Sequence, residues 1–150
     1  MSELPTPVEI ESLPAVVDAA DSLYTLLTLL IVRQPRDISM TTASTLATLR
    51  REGPTRITAL ATAQGVTQPS MTALIASLEK SGMVVRRTDP DDRRASLIEL
   101  TDAGLERSIA RRRDATDRIA GYLAQLPNDQ REVLLAAIPA LRRLEQIVRG

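Results

Sequence analysis

The chain has 150 residues, 43% of them hydrophobic and 25% charged, with 19 basic against 19 acidic groups and neither cysteine nor histidine. That describes one compact unit able to bury a core without staples. It excludes disulfides, thiol chemistry, imidazole metal sites and Ser-His-Asp catalysis, and with Tyr24 and Tyr122 as the two aromatics it offers no stacking platform for single-stranded nucleic acid.

Charge is uneven along the chain. Residues 1–49 carry two basic and six acidic groups, residues 50–113 twelve and eight, and residues 114–150 five of each. The middle third is therefore positive inside a neutral total, the footprint of a local anion-binding surface. Residues 1–13, with Pro5 and Pro7, read as a flexible arm. They lack the basic region of a signal peptide. The longest apolar stretch, Leu23 to Val32, is ten residues, short for a bilayer roughly 30 Å thick. A cytoplasmic protein without a membrane partner is expected.

From Pro14 to Arg33 apolar residues recur at helical spacing, including Val16, Ala20, Leu23, Leu27, Leu30 and Ile31. So wide a stripe exceeds what one small core needs and predicts a subunit contact. Gln34-Pro35 breaks the pattern. Ser39 is placed to cap a second helix running to about Glu52, which Gly53-Pro54 stops. A short helix from about Thr58 to Gln64 follows. Gly65 suits a left-handed position after it, and Thr67 caps a further helix over Gln68 to Ser81, with Pro69 in its first turn. That helix is expected to bury Met71, Leu74, Ile75 and Leu78. Two short helices joined at such a turn read as helix-turn-helix.

Met83 to Thr88 and Ala95 to Leu100 read as two strands around the turn Asp89-Pro90-Asp91-Asp92. A hairpin in this position makes a winged helix-turn-helix. The fold class is thus mostly α with a small β-hairpin wing. Arg93 and Arg94 stand at its tip, and Arg86 and Arg87 on its first strand point to opposite faces. Thr101 caps a long helix from about Asp102 to Leu126. A last helix, from Asn128 to Arg149, should be kinked by Pro139. Packing Leu134, Ile138, Leu141 and Leu144, with Leu23 and Leu27, against a second copy would bury faces that have no partner in a small winged domain. Arg111-Arg112-Arg113 circle their helix and read as solvated.

The run Asp89-Pro90-Asp91-Asp92-Arg93-Arg94, followed by Leu100-Thr101-Asp102-Ala103-Gly104, resembles the wing and following helix of the MarR family of bacterial transcription regulators. Val66 to Ile75, then Leu78-Glu79-Lys80-Ser81-Gly82-Met83-Val84, resembles that family's recognition helix. The resemblance implies a homodimer with residues 14–36 and 105–150 as dimerisation helices and residues 37–104 as the DNA-binding region, all within one unit over 14–150. It implies a repressor of near-palindromic operators and, in some members, release by a small organic ligand. Arg94 would be the minor-groove arginine and Asp92 its brace. No cofactor and no metal are implied.

The residues agree in chemistry. Thr67, Gln68, Pro69 and Ser70 lie on a helix N-terminus that suits phosphate. Gln68 matches the adenine N6/N7 edge, Ser70 several bases, and Thr72 a base, a phosphate or the thymine methyl. Ser77 would reach backbone, as would one of Arg86 and Arg87. The absence of a Gly-rich phosphate loop or nucleophile motif argues against an enzyme. Family recognition helices often carry arginine where this chain has Ala73. That departure leaves open a helical dimer that binds proteins as an antagonist, without operator binding.

Overall fold

The spacing Met71, Ile75, Leu78 puts three side chains on one face of a helix, and the core closes on that face. A computed structural model of the chain describes residues 14–33, 37–92 and 95–149. The described elements are α1 (Pro14–Val32), α2 (Met40–Glu52), β1 (Thr55–Arg56), α3 (Ile57–Gln64), α4 (Gln68–Lys80), β2 (Val84–Thr88), β3 (Ser96–Leu100), α5 (Asp102–Leu123), α6 (Asn128–Ala136) and α7 (Ile138–Arg149). The architecture is mostly helical with a small antiparallel sheet, as expected. The described residues fall into two units, one of α1 with the chain from Ile119 onward, the other from Asp37 to Arg118. The arm assigned to residues 1–13 lies outside the described residues.

The second unit holds the core. Leu46 and Leu49 of α2, Leu60 and Ala61 of α3, Met71, Ile75 and Leu78 of α4, Val84 of β2 and Ile98 of β3 are buried together. Leu74 lines the edge of this cluster. Burying side chains of this size stabilises the fold by about 1.5–3 kcal/mol each. The caps sit where the sequence places them. Ser39 Oγ accepts the Thr42 N–H at 3.0 Å. Gly65 takes φ 61° and ψ 30°, a left-handed conformation that closes α3. The Val66 N–H then reaches back to the Ala61 carbonyl at 3.1 Å, which sets the turn into α4. Thr101 Oγ1 donates to the Gly82 carbonyl at 2.6 Å and accepts the Gly104 N–H at 3.1 Å, starting α5.

Three features differ from the sequence reading. The sheet has three strands, in the order β1-β3-β2, because Thr55 and Arg56 pair with Ile98 and Leu97. Two residues are too few for a period-two pattern to register. The helix expected from Asn128 to Arg149 is interrupted at Ala137, so Pro139 breaks rather than bends it. Pro139 has no N–H for the Leu135 carbonyl, and in an unbroken helix its ring would collide with that oxygen. Finally, α5 ends at Leu123 and passes into turns before Pro127.

In the first unit, α1 has no buried residue and α6 has none. The ten-residue apolar run is one half of the 19-residue α1, which by length and composition alone could cross a membrane. Asp18 and Asp21 stand one turn apart on it, and each carboxylate costs up to about 2.5–3.5 kcal/mol to insert at a bilayer centre. Leu23, Leu27, Leu134, Ile138, Leu141 and Leu144 are all solvent-exposed in the single chain.

Candidate nucleic-acid interface

α4 is two-faced. Met71 and Ile75 are fully buried on one side, Pro69, Ser70, Thr72 and Ser77 are exposed away from it, and Gln68 is exposed at the first turn. Thr67, also exposed, accepts the Ser70 N–H at 3.4 Å and shares a 2.8 Å hydrogen bond with the Ser70 hydroxyl. Its capping role is therefore real, and it orients Ser70 as well. Thr72 donates its hydroxyl proton to the Gln68 carbonyl at 2.9 Å. Its outward chemistry is then acceptor lone pairs and a methyl group. Ala73 and Ala76 are exposed beside Thr72. Together they present methyl groups of the kind that contact thymine C5-methyl. Sequence reasoning treated Ala73 only as a missing arginine.

The wing separates the two arginines that the sequence left undecided. Arg86 is paired in register with Ile98, the buried residue of β3, so it lies on the helix-facing side of the sheet. There its Nε donates to Glu79 of α4 at 3.1 Å. Arg87 lies on the other face, with its Nε on Glu99 at 3.1 Å. Arg93 and Arg94 lie outside the described residues, and with them the contact assigned to Asp92 as a brace for Arg94. The Asp92 carbonyl accepts the Ala95 N–H at 2.8 Å, closing the turn.

A different aspartate anchors the wing, one that sequence reasoning missed. Asp89 is 4% exposed. One of its carboxylate oxygens receives Arg56 Nε and Nη2 at 2.7 and 2.6 Å, and the other receives the Asp91 N–H at 2.9 Å. The Asp91 N–H first, and the Arg56 guanidinium second, hold the carboxyl below its ordinary value despite burial. A turn at Asp89-Pro90-Asp91-Asp92 was legible in the sequence. Its partner, 33 residues upstream, was not.

Elsewhere in the same unit, Asp37 binds both Arg107 and Arg111 of α5. Burial pushes its carboxyl up, and the two guanidiniums more than reverse that, leaving it below the usual range. Arg111 is thus a partner of Asp37, while Arg113 meets Asp117 at 3.8 Å on the surface. No cluster of metal-ligating groups occurs among the described residues.

Comparison with known proteins agrees with this geometry. Residues 38–96 match the model of the MarR family. An HTH-type transcriptional regulator of Mycobacterium tuberculosis is 38% identical over 100 residues, 67% of this chain and 70% of the relative. One of Mycobacterium leprae is 35% identical over 113 residues, 75% of this chain and 79% of the relative. Among solved structures, a transcriptional regulator of Thermotoga maritima superposes with a TM-score of 0.74 at 23% identity, over 89% of this chain and 98% of its own. MepR, the regulator of a Staphylococcus aureus multidrug efflux pump, does so with 0.61 at 19% identity, over 95% and 99%; these two share the fold. The capped, two-faced α4, the three-stranded wing and the length of the sequence match together carry one conclusion: the chain belongs to the MarR family of winged helix-turn-helix transcriptional regulators.

Proposed function

We propose that the chain is a homodimeric repressor of near-palindromic duplex DNA, with α4 of each copy in successive major grooves and the wing tip, Arg93 and Arg94, in the flanking minor grooves. The carrying observation is α4 itself. Its buried face locks it into the core while a capped, uncharged polar turn of Gln68, Ser70 and Thr72 stands exposed at its N-terminus. Such a turn offers hydrogen bonds to base edges and N–H groups to phosphate. The apolar residues exposed on α1, α6 and α7 support the dimer, because an uncovered surface of that kind marks an interaction site. A second copy covers it without carrying Asp18 and Asp21 into lipid. Repression follows from occupancy of the operator. A small organic effector that lowers operator affinity belongs to the same reading; a MepR-like protein 28% identical to this chain is known in complex with pseudoligands.

Selection of bound sequences from a random duplex pool tests the reading. It should return half-sites spaced by about 10–10.5 bp. On a selected operator varied one base pair at a time, Gln68→Ala should relax preference at one position per half-site, at a cost of about 1–3 kcal/mol. Arg94→Ala should weaken binding to many sequences, most where A·T-rich flanks narrow the minor groove. If Arg94→Ala leaves every affinity unchanged, the wing does not touch DNA, and the protein-binding antagonist takes precedence.

A further inference from the structure

Between the first turn of α4 and the wing runs a solvent-open groove of about 360 Å³. Gln68 lines it from α4, Arg86 and Ser96 from the sheet, and Arg56 and Thr58 from the start of α3. Arg56 and Arg86 therefore both line one concavity, Arg56 paired in register with Leu97 and Arg86 with Ile98. Each is aimed by a carboxylate that does not line it. Asp89 engages Nε and Nη2 of Arg56, and Glu79 engages Nε of Arg86. A guanidinium carries five N–H groups in a rigid fork, so these pairings take two from Arg56 and one from Arg86. Both side chains keep access to solvent, 45% for Arg56 and 33% for Arg86. A planar fork held in direction but not covered suits an oxyanion, phosphate above all.

The fold says which phosphate. A protein that places one element in a major groove and another in the flanking minor groove must straddle the sugar-phosphate strand dividing them. Resting on the DNA-binding reading above, we infer that the groove seats this strand and that Arg56 and Arg86 hold one phosphate in it. Arg56 is then a DNA contact supplied from β1, outside both the recognition helix and the hairpin of β2 and β3. The Asp89 pairing presents it.

Binding to a selected duplex, followed by fluorescence anisotropy between about 50 and 200 mM salt, separates the roles through the slope of log K against log salt. Each phosphate neutralised adds about 0.9 to that slope. Arg56→Gln should lower its magnitude by about 0.9 for each copy of the groove bound, with base preferences unchanged. Asp89→Asn keeps the guanidinium charge and should not lower it. Arg86→Gln should lower it as Arg56→Gln does, and it tests the groove even if Arg56→Gln fails to fold, since its exposed pair with Glu79 contributes little to stability. An unchanged slope in either folded variant overturns the groove assignment and leaves DNA binding standing. If the parent chain binds no duplex in a salt-dependent way, the DNA-binding reading falls, and this assignment falls with it.

Discussion

At the turn of the wing, Asp89 shows how much one carboxylate can organise. It is buried, accepts a backbone N–H from its own turn, and ties that turn to Arg56 at the entrance to α3. Its carboxyl titrates below the ordinary value of about 3.9. A carboxylate depressed by folding stabilises the fold above its unfolded pKa, and that stabilisation is lost as pH falls through the lower folded value. The difference in Tm between the parent chain and Asp89→Asn should therefore be greatest above about pH 5 and shrink as pH drops below about 4. Thermal melts across that range check it. A difference of constant size would place the cost of the substitution in shape rather than charge.

At the scale of elements, the junction between the wing and α5 depends on a missing side chain. A Cβ on Gly104 would lie 1.9 Å from the Met83 carbonyl oxygen and 3.2 Å from Leu100 Cδ2. The first of these is backbone, and it also accepts the Thr101 N–H at 3.1 Å. It cannot yield without moving the cap of α5. Gly104→Ala should thus cost about 1–3 kcal/mol or more, as overpacking does, although alanine is the better helix former. Chemical denaturation measures this, and a gain in stability would show that α5 docks differently. The interruption between α6 and α7 is of the opposite kind. It comes from what Pro139 lacks, a backbone N–H, and so it is written in the sequence at one position.

At the scale of the molecule, two units divide the work. The unit from Asp37 to Arg118 contains the whole buried hydrophobic cluster. The other leaves Leu27, Leu134, Leu141 and Ile147 exposed in the single chain. Membership of a transcription-regulator family and the open apolar faces point to one remedy, a second copy. The chain should sediment at twice its own mass at micromolar concentration. Leu141→Glu should shift it to monomer or to aggregate, because an unpaired charge in a buried interface costs several kcal/mol, roughly 3–5 in measured cases. The melting of the winged unit should change less. A parent chain that sediments as a monomer would remove the dimer from the reading.

The order of the helices from α1 to α5 and of the hairpin strands, the caps at Ser39, Thr67 and Thr101, the left-handed turn at Gly65 and the inward face of α4 were legible in the sequence. Each depends on residues within one or two turns of one another, where side-chain period and backbone preference act directly. The family was legible for the same reason, since its wing and recognition-helix patterns are local. Tertiary structure alone decided that Thr55 and Arg56 form a third strand, that Arg86 faces α4 while Arg87 faces away, and that Arg56 reaches Asp89 across 33 residues. It also buried Thr45 in the core with its hydroxyl lacking a partner among the described residues. These outcomes turn on which groups meet once the chain has closed, and a pairing between distant residues leaves no period along the chain to read.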